Sequence, residues 1–98
     1  MNIIEKEFSD IAIKRYNLFL FKMDDALDVI QRCKELKIWI FGIDSFIFKG
    51  QGIQPFMEFS PDYSYLNHKN NIWEIASNFI IEASKENEQF VFEIVYDL

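Results

Sequence analysis

The chain has 98 residues, half of them hydrophobic and 17% aromatic, eleven being Phe, enough for one domain (1–98) with a single core and outside the range of disordered chains. Its formal net charge is −6, and all of it falls after residue 37: residues 1–37 hold seven acids and seven Lys or Arg, whereas residues 38–98 hold nine acids against Lys49, Lys69 and Lys85. Such a surface repels nucleic-acid phosphates, which argues against DNA or RNA as partner, and it attracts basic proteins; mild acidity also serves plain solubility.

In chain order, Ile4, Phe8 and Ile11 suit a short helix begun before or at Ser9, and residues 16–22, YNLFLFK, read as a strand. MDDALDVIQRCKELK follows as the clearest helix, with Ala26, Val29, Ile30 and Cys33 at helical spacing. Asp24 and Asp25 sit at its start as caps, Lys34 and Lys37 at its end, and Asp28 stands four residues before Arg32. Residues 38–48 and 53–59 read as strands joined by KGQG, whose glycines supply positive φ, and Pro55 places the second strand at an edge. After the polar loop SPDYSYLNHKNN, Asn71 with Glu74 begins a second helix along Ile72, Ile75, Ala76, Phe79, Ile80 and Ala83. EQFVFEIVYDL closes the chain as an alternating strand.

The expected fold is α+β: a small sandwich of a mixed or antiparallel sheet with two helices, in the order β-α-β-β-α-β of a ferredoxin-like domain, after an undecided N-terminal segment. In such a sandwich the second sheet face is normally polar. Here strict alternation puts Ile38, Ile40, Phe46 and Phe48 on one face and Trp39, Phe41, Ile43 and Ile47 on the other, so both are apolar. Something has to cover the second face: the N-terminal segment, a second copy of the chain, or a partner.

Catalytic and metal chemistry find little material. His68 reads as a solvated loop residue and Cys33 as a buried small hydrophobe, with no CxxC or HxxxH spacing and no Gly-rich phosphate loop, so no cofactor or metal is expected. An acid–base enzyme would need Asp44 and Glu58 to meet across the hairpin, and two carboxylates in an acidic domain are a weak sign of that. The single cysteine suits a reducing cytosol. No secretory signal or apolar run of about 18 residues is visible, which leads to the expectation of a soluble, cytoplasmic protein without a membrane partner.

Asp44 is the anomaly, a lone carboxylate in IWIFGIDSFIF. Either Gly42 marks a bulge that turns it outward, or the strand ends at Gly42, or the sheet presents Asp44 to a cationic partner. Tyr63 and Tyr65 in the polar loop offer contact area with a polar tip, beside Asp62 and Glu58; the alternative is tyrosines packed on their own core.

The segment DDALDVIQRCKELKIWIFGIDSFIFKGQGIQPFMEFSPDYSY, roughly residues 24–65, resembles the centre of small immunity proteins of bacterial contact-dependent inhibition and polymorphic toxin systems. Ala26 and Leu27, Gly42 with Asp44, Gly52, and Asp62 with Tyr63 and Tyr65 carry the likeness. The chain departs from it in having Ile43 where a second glycine adjoins the first, and in lacking a Trp between Tyr63 and Tyr65. The resemblance implies a non-enzymatic protein that binds and neutralises one cognate toxin domain, commonly a basic nuclease. Candidate contact residues are Asp44, Glu58, Asp62, Tyr63, Tyr65, Glu93 and Asp97. The alternative is a small ligand-binding ferredoxin-like domain that forms a homodimer through its apolar sheet face.

Overall fold

A computed structural model describes residues 2–67 and 70–98, and the reading of His68 lies outside them. The element order is α1 (Ile3–Phe8), β1 (Ile13–Arg15), β2 (Leu18–Leu20), α2 (Met23–Glu35), β3 (Ile40–Lys49), β4 (Gly52–Pro55), a 3-10 turn (Met57–Phe59), α3 (Ile72–Glu86) and β5 (Val91–Tyr96). The architecture is a small α+β domain with antiparallel sheets. No helix among the described residues is long and apolar enough to cross a membrane.

The layout differs from the ferredoxin-like expectation. Strands pair in the order β4-β3-β5, and β1-β2 form a separate two-stranded hairpin. The chain just after that hairpin pairs with the main sheet at an antiparallel bridge, Phe21 with Phe92, made by two N–H to carbonyl bonds of 2.8 Å each. The expected first strand is thus the second half of a hairpin. Its turn is Tyr16–Asn17, both at positive φ (51° and 65°), a conformation that usually selects glycine.

Helices α2 and α3 cover one sheet face. Ala26, Val29, Ile30 and Cys33 of α2 and Ile72, Ala76, Ile80 and Ala83 of α3 are buried in one cluster with Ile40, Ile43, Phe92 and Ile94. Asn71 caps α3 by accepting from the Glu74 N–H, the expected arrangement. At the start of α2 the N-cap is Lys22, with no side-chain cap, so Asp24 and Asp25 favour the helix through its dipole alone. Arg32 does not turn to Asp28. It forks onto both carboxylate oxygens of Glu7, at 2.8 and 2.9 Å, and reaches Glu35 at 3.2 Å, tying α1 to α2.

Of the three readings of Gly42 and Asp44, the bulge is present, since the β3–β5 register shifts between Ile40 and Gly42, but Asp44 stays in continuous register with Phe46. The bulge reverses the alternation, so that Ile40 joins Ile43 against the helices where strict period two had opposed them. Strand β3 then continues to Lys49, which removes the reading in which it ends at Gly42. In the KGQG turn only Gly50 has positive φ, at 61°.

The second sheet face is covered over half its length, by the N-terminal hairpin. Leu20, Phe46 and Val91 are buried there with Ile13, Leu18 and Ile53 packed around them. Arg15 lies over the Phe48 ring, 5.4 Å from its centroid, and the Tyr16 hydroxyl donates to the Gln51 carbonyl at 3.2 Å, so the hairpin reaches the β3–β4 turn. The other half of the face, beside the bulge, is left bare.

Candidate functional site

The bare half of the face is built by three segments. The bulge in β3 turns Phe41 outward, 38% exposed, and sets Gly42 against the returning chain at Asp62. Strand β5 supplies Val95, 39% exposed, and the 3-10 turn supplies Met57, 79% exposed. Between them lies a cleft of about 290 Å³, lined by those three with Asp44, Ser60 and Asp62. Among the described residues, no lysine, arginine or histidine lines it.

Residues 56–63 are pinned to β3 by backbone geometry. The Ile43 N–H donates to the Pro61 carbonyl at 3.1 Å, and the Tyr63 N–H donates to the Phe41 carbonyl at 2.6 Å. Ser45, fully buried on the helix-facing side, donates its hydroxyl to the Phe59 carbonyl, while its N–H donates to Ser60 Oγ at 3.2 Å. Ser45→Ala is expected to cost about 1–2 kcal/mol, since it strands the Phe59 carbonyl, and to loosen the rim that carries Met57. Urea unfolding with amide exchange at residues 57–60 checks this; a neutral substitution would mean that the hydroxyl does not hold the rim.

Asp44 and Glu93 are direct cross-strand partners in the β3–β5 ladder, both half-buried. Opposed side chains on one face of an antiparallel pair have Cβ atoms about 4.5–5.5 Å apart, so two like charges meet here. Burial first, and then the charge of Asp44 and a hydrogen bond with it, push the Glu93 carboxyl up to about 7. Glu93 also borders a small cavity of about 110 Å³ with Glu5, Asn17 and Phe19. Near pH 7 Glu93 therefore carries a proton about half of the time, opposite Asp44. Such a pair can take up a cation in place of that proton.

The seven expected contact residues separate. Asp44 and Asp62 line the cleft, and Glu93 faces Asp44 across the ladder. Asp62 is exposed, and hydrogen bonds from Ser64, through its side chain and its N–H at 2.9 Å, hold its carboxyl below the usual carboxylate range. Glu58 is exposed on the 3-10 turn beside Met57 and outside the cleft lining, and the cross-strand partner of Asp44 is Glu93. Asp97 is exposed beyond β5, where its N–H donates to the Trp39 carbonyl at 2.9 Å. Tyr65 is 79% exposed. Tyr63 is the correction: at 6% exposure it is a core residue, and burial raises its hydroxyl to about 12. Phe41, Val95 and Met57 were not singled out as contact residues, and their signal was Gly42, which turns the strand at the bulge.

Cys33 is buried, and desolvation raises its thiol to about 12, so it is no nucleophile at neutral pH. Among the described residues no group of three or more His, Cys, Asp or Glu is placed to hold a metal ion. A larger cavity of about 650 Å³ lies apart from the carboxyl pair, at the start of α2, between Asp24, Asp25, Phe48 and Glu88. It brings no base or nucleophile together with Asp44, whose own cleft is at the lower limit of small-molecule pockets, about 300 Å³. No family model matches the chain, and no curated protein matches it.

Proposed function

We propose that this chain is an immunity protein: a non-catalytic, acidic binder that captures a basic toxin domain, of the nuclease class, on the bare half of its sheet. One observation carries the reading. The half of the face that the hairpin leaves uncovered combines exposed Phe41, Val95 and Met57 with Asp44, Glu93 and Asp62, and among the described residues no cation lines its cleft. Apolar side chains around a charged centre suit an interface in which aromatics exclude water and carboxylates meet the basic residues that otherwise meet phosphate. A contact of about 1,600 Å² in total would cover this half-face and its rim. Neutralising a toxin calls for nanomolar affinity, about −12 kcal/mol.

A homodimer through the same face is the weaker reading. Two copies would each bring a net charge of −6 and would bring like carboxyl pairs together. Light scattering on the purified chain separates the two, a stable dimer favouring the second.

The direct test reads the neighbouring frames and, where a large secreted protein is encoded immediately upstream, pairs the chain with that protein's C-terminal domain; isolated placement among metabolic genes would count against the proposal. Asp44→Lys with Asp62→Lys is expected to slow association at least about tenfold at low salt and to abolish protection in co-expression, with the far-UV spectrum unchanged. Full protection by this double variant would place the interface elsewhere.

A further inference from the structure

Within that same face, and resting on that reading, one feature says how a partner is admitted. Asp44 and Glu93 stand opposite each other, half-buried, one cross-strand pair along the face from Gly42 and Val95 and next to the Phe46–Val91 pair that the hairpin covers. We infer that docking here is coupled to proton release: a cationic side chain of the partner, arginine or lysine, enters between Asp44 and Glu93 and displaces the proton they share, which leaves to solvent. The pair goes from one negative charge to two, and the incoming cation offsets the second.

The surroundings of Glu93 favour this exchange. From α1, Glu5 borders the same small cavity, and from β5 Tyr96 does so, its own hydroxyl raised chiefly by burial. From the hairpin, Asn17, Phe19 and Phe21 are neutral. Lys14, the hairpin cation on that side, is occupied by the Ser9 hydroxyl at 2.8 Å and by the Phe19 ring. Across the cleft stands Asp62, already ionised. Among the described residues, every charged group that lines the two cavities flanking the pair is acidic, so no described cation takes the place of the proton there. Burial and the opposed charge of Asp44 keep that proton on until about pH 7.

The coupling makes affinity depend on pH in a definite direction. With the free pair titrating near 7 and the cation-bound pair ionised throughout, binding is roughly tenfold tighter at pH 8 than at pH 6. The experiment uses the isolated full chain, labelled with ¹⁵N and ¹³C, and a blocked Trp-Arg-Trp tripeptide as probe, its aromatics matched to Phe41 and Val95. Carboxyl ¹³C shifts in the free chain should give Glu93 a midpoint near 7, and amide shifts should map the peptide to residues 41–44, 62 and 93–95 with that tenfold gain. Glu93→Gln should bind weakly and equally at both pH values, and Asp44→Asn should also lose the pH dependence. A Glu93 midpoint in the ordinary carboxylate range overturns the inference. Docking on this face with equal affinity at pH 6 and pH 8 overturns the coupling and leaves the docking reading in place. Shifts confined to the groove at Asp24, Asp25 and Glu88 overturn both.

Discussion

Gly42→Ala is expected to destabilise the chain by about 2–3 kcal/mol, and so to lower the thermal midpoint by about 10 °C or more. The cause is contact, since Gly42 does not have positive φ. A Cβ at position 42 would lie 2.8 Å from the Pro61 carbonyl oxygen, closer than real Cβ atoms come, and that oxygen belongs to the backbone and cannot swing aside. Relief requires the Pro61–Asp62 segment to move off β3. Two hydrogen bonds then weaken, Ile43 N–H to Pro61 and Tyr63 N–H to Phe41, and the Tyr63 ring loses its place in the core. Gly52→Ala serves as the control, because its nearest neighbour would be the Lys49 carbonyl at 3.6 Å, an ordinary contact. Urea midpoints for both variants, with amide shifts at residues 41–44 and 59–63, decide the matter. Equal and small effects at positions 42 and 52 would mean that the bulge tolerates a side chain and that the cleft is not built on that close approach.

The same glycine shows where sequence reading stops. The apolar stripes of α2 and α3 were largely legible at helical spacing: Ala26, Val29, Ile30, Cys33, Ile72, Ala76, Ile80 and Ala83 are buried and Phe79 is half-buried, whereas Ile75 of the same stripe is exposed. The edge character of β4 followed from Pro55, and the need to cover a second apolar face followed from Ile38, Ile40, Phe46 and Phe48 standing opposite Trp39, Phe41, Ile43 and Ile47. What covers it was not legible. The Tyr16–Asn17 turn holds positive φ without glycine, so the strand before it, Ile13–Arg15, left no turn signal. Nor does period-two reasoning survive an inserted residue: Phe41 is the extra residue at the bulge, and it moves Ile40 from the company of Phe46 to that of Ile43. Arg32 met a similar fate, because the nearest acid in sequence, Asp28, lost to Glu7 on a helix that long-range packing brings alongside.

The candidate site was half legible for the same reason. Asp44 stood out because it breaks an apolar run, and Glu93 because it falls on the outward phase of the last strand. Their pairing depends on the β3–β5 register, which the bulge helps to set and which neither strand states by itself. Once the register is given, the electrostatics follow without further assumption. Two carboxylates in one cross-strand pair, half out of water, cannot both ionise at ordinary cost.

That cost is measurable in the free protein. Glu93→Gln is expected to stabilise the fold by about 1–2 kcal/mol at pH 8 and to have little effect at pH 5, the range allowing for the solvent that still reaches the pair. The folded-state pKa of Glu93 is raised to about 7, whereas an unfolded glutamate titrates near about 4.3. Its contribution to stability is therefore fully present below the unfolded value, declines as pH rises between the two, and is lost above about 7, where the folded state must carry the charge. Glutamine keeps the shape and a donor toward Asp44 but has no proton to lose, so the variant should follow a flatter profile and cross above the wild type as pH rises. Urea unfolding of both proteins at half-unit steps from pH 5 to pH 8 isolates this difference, because every other titrating group is common to both. Parallel profiles would show that Glu93 carries no raised pKa. Diverging profiles would identify a carboxyl held protonated at some cost to stability at the border of the uncovered half of the sheet face, a cost that an arriving arginine or lysine would remove.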